Sequence, residues 1–238
     1  MAHISRKELK KDEFRETLAH GAEAISSHKE TLWQVTVVVL VVVCAVLGWR
    51  LYWNRLNSRA SAALAEAMKI YDAPVTANGD QPVPGEPVYH QEQEKYAAAQ
   101  QALGAVAIRF KHAHAGQMAG YYAAVSLEHL GRYQDAANRL APMVKGGDTQ
   151  LQALARFELA QVNDAMGKPD QAVALYQELL NQPSVFVPKP EVLFALGDHY
   201  RASNPQQAAK YYQEVKSEYP NTGLADQADQ RLQMLGKT

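Results

Sequence analysis

The segment Leu196-Gly197-Asp198-His199-Tyr200, followed by Ala208, Tyr212 and Pro220, decides the fold, because its pattern returns along the chain. Ala208 is the last of four alanines, Ala99, Ala136, Ala172 and Ala208, spaced 37, 36 and 36 residues apart. Four residues after each stands a bulky side chain: Leu103, Leu140, Tyr176, Tyr212. Three further on is another apolar one: Val106, Met143, Leu179, Val215. Three columns that share one period mark a stacked array, and a period near 34 residues is that of helix–turn–helix units. Each unit buries its apolar face only against its neighbours, and the array presents a long surface to other molecules.

The copies differ in completeness. The second keeps Leu159-Ala160, Gly167, Ala172, Tyr176 and Pro183, and the first keeps Ala123-Ala124, Gly131, Ala136 and Leu140. The pattern resembles the tetratricopeptide repeat: Leu-Gly and Tyr in the first helix, Ala and an aromatic in the second, Pro at the end. Small residues at Gly197 and Ala208 let two antiparallel helices approach, and large neighbours fill the space between layers. Gly131 and Gly167 are placed to cap helix C-termini, and Pro169 suits the opening turn of the next helix. The match is degenerate, with Leu127 and Asn163 where Tyr is expected and Ala124 and Ala160 where Gly is expected. A fourth, N-terminal copy has its second helix in register, about Glu92 to Phe110, and its first at about Ser58 to Tyr71. Between them, Ala73-Pro74 to Pro87-Val88 carries four prolines and two glycines and reads as an exposed loop. Leu224 to Leu235 is one more helix without a partner, the expected cap of an array.

Leu32 to Trp49 is the second strong signal: Val35 to Leu47 has no charge. Counted from Leu32 to Tyr52 with Arg50 snorkelling, it supplies the roughly 20 residues that a bilayer core needs. Trp33 stands at one edge and Trp49, Tyr52 and Trp53 at the other, in the manner of an aromatic belt. A cleaved leader is disfavoured by the long polar segment before the run. Basic residues stand on both sides of the span, and charge alone leaves its orientation open. Ser5-Arg6-Lys7-Glu8 is a capping box opening a charged helix in the tail.

The expected architecture is therefore all-α: a single transmembrane helix, then a tetratricopeptide-like α-solenoid of about four helical hairpins with a C-terminal capping helix. The expected divisions are a polar, partly helical tail at 1–30, the span at 31–53, the first helix of the array at 54–72, a Pro/Gly-rich loop at 73–89, and repeats with cap at 90–238. About 180 residues beyond the span suffice for a domain with a real core. Formal net charge is −1, which suggests no nucleic-acid partner. The single cysteine, Cys44, lies inside the span and excludes a disulfide within the chain. His112-Ala113-His114 is the one metal-like pattern; with no third ligand nearby it reads as a surface turn. No phosphate-binding glycine loop, nucleophile elbow or His-Glu-x-x-His occurs. Neither an enzymatic activity, a cofactor, a metal nor a small-molecule substrate is expected.

The register brings a further set into line. Tyr121, Phe157 and Phe194 occupy equivalent positions on the first helices, 36 and 37 residues apart. Val125, Gln161 and Asp198 follow one turn later, and Glu128, Asp164 and Arg201 a turn after that. Spacing of i, i+4 and i+7 puts each trio on one helix face. The tetratricopeptide resemblance implies that this face lines a groove for a peptide; packing between helices is the competing reading of the three aromatics.

The whole plan resembles one bacterial family. A short polar tail precedes a single anchor ending in Gly48-Trp49-Arg50-Leu51-Tyr52-Trp53-Asn54, then a small-residue helix from Ser58 to Ala67, then degenerate repeats. This is similar to the YfgM-like ancillary subunit of the SecYEG translocon; the longer tail and the Pro-rich insertion depart from it. The resemblance implies a single-pass protein of the bacterial inner membrane with its N-terminus cytoplasmic and its repeats periplasmic. Translocon subunits, a periplasmic chaperone or secreted chains would be the protein partners, and the lipid bilayer would hold the anchor. A scaffold for envelope assembly or cell division, and an accessory subunit of another large membrane complex, stand as alternatives.

Overall fold

Helices are what this composition dictates beyond the valine run, where alanine is abundant and β-branched residues are few. In the computed structural model, residues 29–76, 87–146 and 148–236 are described. The tail helix expected near Ser5 lies outside them, as does most of the Pro/Gly-rich loop. Among the described residues the chain forms nine helices and no strand. They are α1 (Lys29–Tyr71), α2 (Glu92–Arg109), α3 (His114–His129), α4 (Tyr133–Lys145), α5 (Thr149–Ala165), α6 (Pro169–Asn181), α7 (Lys189–Tyr200), α8 (Pro205–Glu218) and α9 (Gly223–Leu235). Two compact units are distinguished, one up to Arg55 and one from Leu56 onward.

In the first unit, α1 is long and apolar enough to cross a membrane, as an anchor or signal sequence is. Its valines and leucines from Val35 to Leu47, and the flanking Trp33, Trp49 and Tyr52, are exposed. Trp49 and Trp53 meet edge to face at 5.8 Å. β-Branched residues are mediocre helix formers in water, but in hydrocarbon a helix satisfies every backbone group within one segment.

The second unit contains the array. Leu56, Ala60, Ala63, Ala67 and Tyr71 fall on one face of α1 and pack with Ala99, Leu103 and Val106 of α2 and Ala119 and Ala123 of α3. The described ends of the intervening loop are joined by an isolated parallel bridge, Val75 to Tyr89, with the Thr76 N–H donating to the Tyr89 carbonyl at 3.0 Å. Then α3–α4, α5–α6 and α7–α8 form successive hairpins, and α9 packs on α8. This is the expected series of hairpins with a terminal helix. All four repeat alanines are fully buried, as are Leu103, Leu140 and Tyr212, with Tyr176 nearly so.

Local chemistry explains the turns. Gly131 and Gly167 have φ of +70° and +69°, the left-handed conformation that a Cβ disfavours. Each closes a Schellman motif. Arg132 N–H donates to Leu127 O and Gly131 N–H to Glu128 O; Lys168 N–H donates to Asn163 O and Gly167 N–H to Asp164 O. Pro169 and Pro205 open α6 and α8, where a missing N–H costs nothing. Side chains of Asp148, Asn204 and Thr222 accept backbone N–H groups at the starts of α5, α8 and α9.

Within α7–α8 the contact is close enough to fix residue identity. A Cβ on Gly197 would lie 2.4 Å from Tyr212 Cε1. The corresponding pairs are Ala160 with Tyr176 and Ala124 with Leu140, where a methyl is accommodated. Three substitutions to alanine should therefore differ in sign. Gly197→Ala must displace a buried ring and should cost about 1–3 kcal/mol. Gly131→Ala should cost about 1–2 kcal/mol through its positive φ. Gly104→Ala, inside α2 with only ordinary contact at 3.7 Å, should gain up to about 1 kcal/mol. Thermal melts of the full chain in detergent, followed by far-ultraviolet circular dichroism, check the order.

Candidate binding cleft

Helices α5 and α7, with the C-terminal end of α3, surround an open cleft of about 900 Å³. Phe157, Gln161 and Asp164 reach it from α5, Glu191, Phe194, Ala195, Asp198 and His199 from α7, and Glu128 from α3. Gly167, Pro169, Tyr176 and Ser203 complete the lining. Helical spacing puts these side chains on one side, and the stacking of hairpins at one period aligns the sides.

Of the nine residues aligned by register, six line this cleft: Glu128, Phe157, Gln161, Asp164, Phe194 and Asp198. Val125 is buried within α3, and Tyr121 packs in the α3–α4 core with Leu127 and Leu140. Arg201 is exposed at the far end, with Nη1 3.7 Å from Asp198 Oδ1. The two phenylalanines pack and line the cleft at once. Phe157 meets Tyr176 edge to face at 6.0 Å and Phe194 meets Tyr212 at 5.5 Å, yet both remain only half-buried. The Arg231 guanidinium lies 5.9 Å from the Phe194 ring.

Buried tyrosines need acceptors, and the first helices supply them. The Tyr212 hydroxyl donates to Asp198 Oδ1 at 2.8 Å and that of Tyr176 to Asp164 Oδ2 at 3.4 Å. Burial first, and the adjacent carboxylates second, hold both phenols well above their ordinary range. Asp164 also accepts from His199 Nδ1 at 2.7 Å, which ties α5 to α7. Asp198 is further paired with Arg231 Nε at 3.1 Å. Ser203 is near in sequence, but no hydrogen bond joins its hydroxyl to His199 among the described residues.

Glu158 and His199 were not singled out by sequence. Glu158 is 7% exposed. Burial, aided by the charge of Glu128, pushes its carboxyl from 4.5 to about 7. The titratable groups coupled to it are Tyr71 of α1, Tyr121 and Glu128 of α3, and Tyr176 of α6. The repeat register carried a usable signal for His199 and a weaker one for Glu158, whose column partners are only half-buried. Glu158 shares a column with Tyr122 and Ala195, and His199 shares one with the fully buried Ser126 and Val162. A charged or titratable residue in a buried column marks a group with a perturbed environment.

His112 lies in the turn between α2 and α3, and His114 opens α3 with Nδ1 3.7 Å from Asp148 Oδ2. Among the described residues no group of three or more His, Cys, Asp or Glu is placed to hold a metal.

A raised carboxyl pKa gives a definite pH dependence. Between pH 4.5 and about 7 the folded chain binds a proton at Glu158 that the unfolded chain has lost. Stability from this group is therefore gained as pH falls through about 7 and is complete below 4.5. Glu158→Gln should stabilise the chain near pH ~8, by an amount on the order of 3 kcal/mol, and change little near pH ~4. Melting temperatures of the two proteins at both pH values measure this; an equal difference at both would contradict it.

A family model described as tetratricopeptide repeat-like domain matches residues 28–186, two thirds of the chain. One described as tetratricopeptide repeat matches residues 191–222, the α7–α8 hairpin. No curated protein and no solved structure matches the chain.

Proposed function

We propose a function from one premise: the chain belongs to the tetratricopeptide repeat-like family. Repeats of this kind form protein–protein interaction modules. The chain is read here as a module anchored in a membrane by α1, with the cleft of α3, α5 and α7 as the surface that holds a partner polypeptide. The observation that carries this reading is the cleft itself, where Phe157 and Phe194 are only partly buried and stand between polar groups. Rigid aromatic surface beside hydrogen-bonding groups is what an extended or helical peptide segment requires.

The finer assignment is an ancillary subunit of the translocon or of a periplasmic chaperone network, in the bacterial inner membrane with its repeats outside the cytoplasm. Its support is the anchor edge Gly48-Trp49-Arg50-Leu51-Tyr52-Trp53-Asn54 followed directly by repeats. Photocrosslinkers placed at Phe157 and Phe194 in intact membranes should recover translocon subunits, a chaperone or secreted chains. Recovery of a respiratory or division complex without any of these would favour an accessory or scaffold role instead. A C-terminal reporter fusion active only in the cytoplasm would contradict the orientation.

Phe157→Ala should weaken capture of the crosslinked partner about tenfold or more. Its effect on the melting temperature should be only a few degrees, because the ring is half-buried. A large drop in melting temperature with capture unchanged would assign Phe157 to packing alone.

A further inference from the structure

The cleft carries more negative charge than its own structure balances. Glu128, Asp164, Glu191 and Asp198 line it, and no lysine or arginine does among the described residues. Glu128, Asp164 and Asp198 stand in the last turns of α3, α5 and α7, where the negative end of the helix dipole repels an anion. Two of these three are compensated internally. Asp198 has the Tyr212 hydroxyl and Arg231, and Asp164 has the Tyr176 hydroxyl and His199.

Glu128 has no such compensation. No hydrogen bond or ion pair to its side chain occurs among the described residues, and it opposes a second carboxyl, Glu158, electrostatically. Glu158 is itself 7% exposed and likewise has neither hydrogen bond nor ion pair among the described residues. A carboxyl buried without a partner is costly unless it is protonated or meets a cation. Along the same helix, Phe157 precedes Glu158 and faces the cleft that Glu128 borders.

We infer that the cleft takes a cationic segment of a partner polypeptide, with a lysine or arginine side chain seated at Glu128 and an adjoining apolar residue against Phe157 and Phe194. This rests on the reading of the cleft as a polypeptide site and adds the chemistry of the segment. An acidic segment would add charge to three helix C-termini that already carry carboxylates. A purely apolar one would leave Glu128 desolvated without compensation, which penalises binding. Guanidinium and ammonium groups supply donors for Glu128 while their aliphatic stems lie on the rings.

The test uses the full chain in detergent micelles and fluorescent acetylated peptides with the same leucine and phenylalanine content. Their remaining positions carry lysine, glutamine or glutamate. Anisotropy titrations should show the lysine peptide binding about tenfold more tightly than the glutamine peptide, with the glutamate peptide weakest. In Glu128→Gln that preference should shrink several-fold. Glu158→Gln, which removes the buried carboxyl that acts on Glu128 through its charge, should shrink it less, and its melting curve reports separately whether it is folded. Equal binding of lysine and glutamine peptides, or a preference that survives both substitutions, overturns the charge assignment and leaves the polypeptide site standing. Failure of every peptide to bind, together with no polypeptide recovered by crosslinking at Phe157, overturns both.

Discussion

The structure depends on one packing constraint: a small residue on the first helix of each hairpin faces a large side chain on the second. Gly197 against Tyr212, with Ala160 and Tyr176, and Ala124 and Leu140, at the equivalent positions of the other hairpins, are three solutions of it. Each ring is worth about 2–3 kcal/mol of burial, but its larger role is geometric. It sets how closely two helices approach, and repetition at 36 or 37 residues passes that geometry to the next hairpin.

The cleft follows from the same rings. Burying a tyrosine leaves a hydroxyl that must donate, and Asp164 and Asp198 on the first helices accept. That requirement draws carboxylates to helix ends whose dipoles oppose them. The neighbouring hairpin then answers, through His199 of α7 on Asp164 of α5 and Arg231 of α9 on Asp198 of α7. Where the second helix carries Leu140 in place of tyrosine, no hydroxyl is available, and Glu128 is left without that partner. The polar character of the cleft is thus a by-product of core packing that has been compensated at two positions and left open at a third.

How much of this the sequence disclosed depends on whether periodicity or three-dimensional closure decides it. The columns headed by Ala99 and Leu103 gave the hairpins, the Gly131 and Gly167 caps and the terminal helix, because each rests on contacts repeated at one spacing. Six of nine aligned residues line one cleft for the same reason. Tyr121 and Val125 do not, since the first copy packs that part of α3 into its own core. Ion pairs such as Arg231 with Asp198 bring together residues from α9 and α7 that no repeat spacing relates. Glu158 is buried, and the groups whose charges it meets, Tyr71 of α1 and Tyr121 and Glu128 of α3, come from elements that the spacing of its own helix does not relate.

The claim that the first helices are the working face is tested most directly by hydrogen–deuterium exchange of the full chain with and without saturating lysine peptide. The account predicts slowed exchange in the C-terminal halves of α3, α5 and α7, with α4, α6 and α8 little changed. Protection confined to α4, α6 and α8 would contradict it.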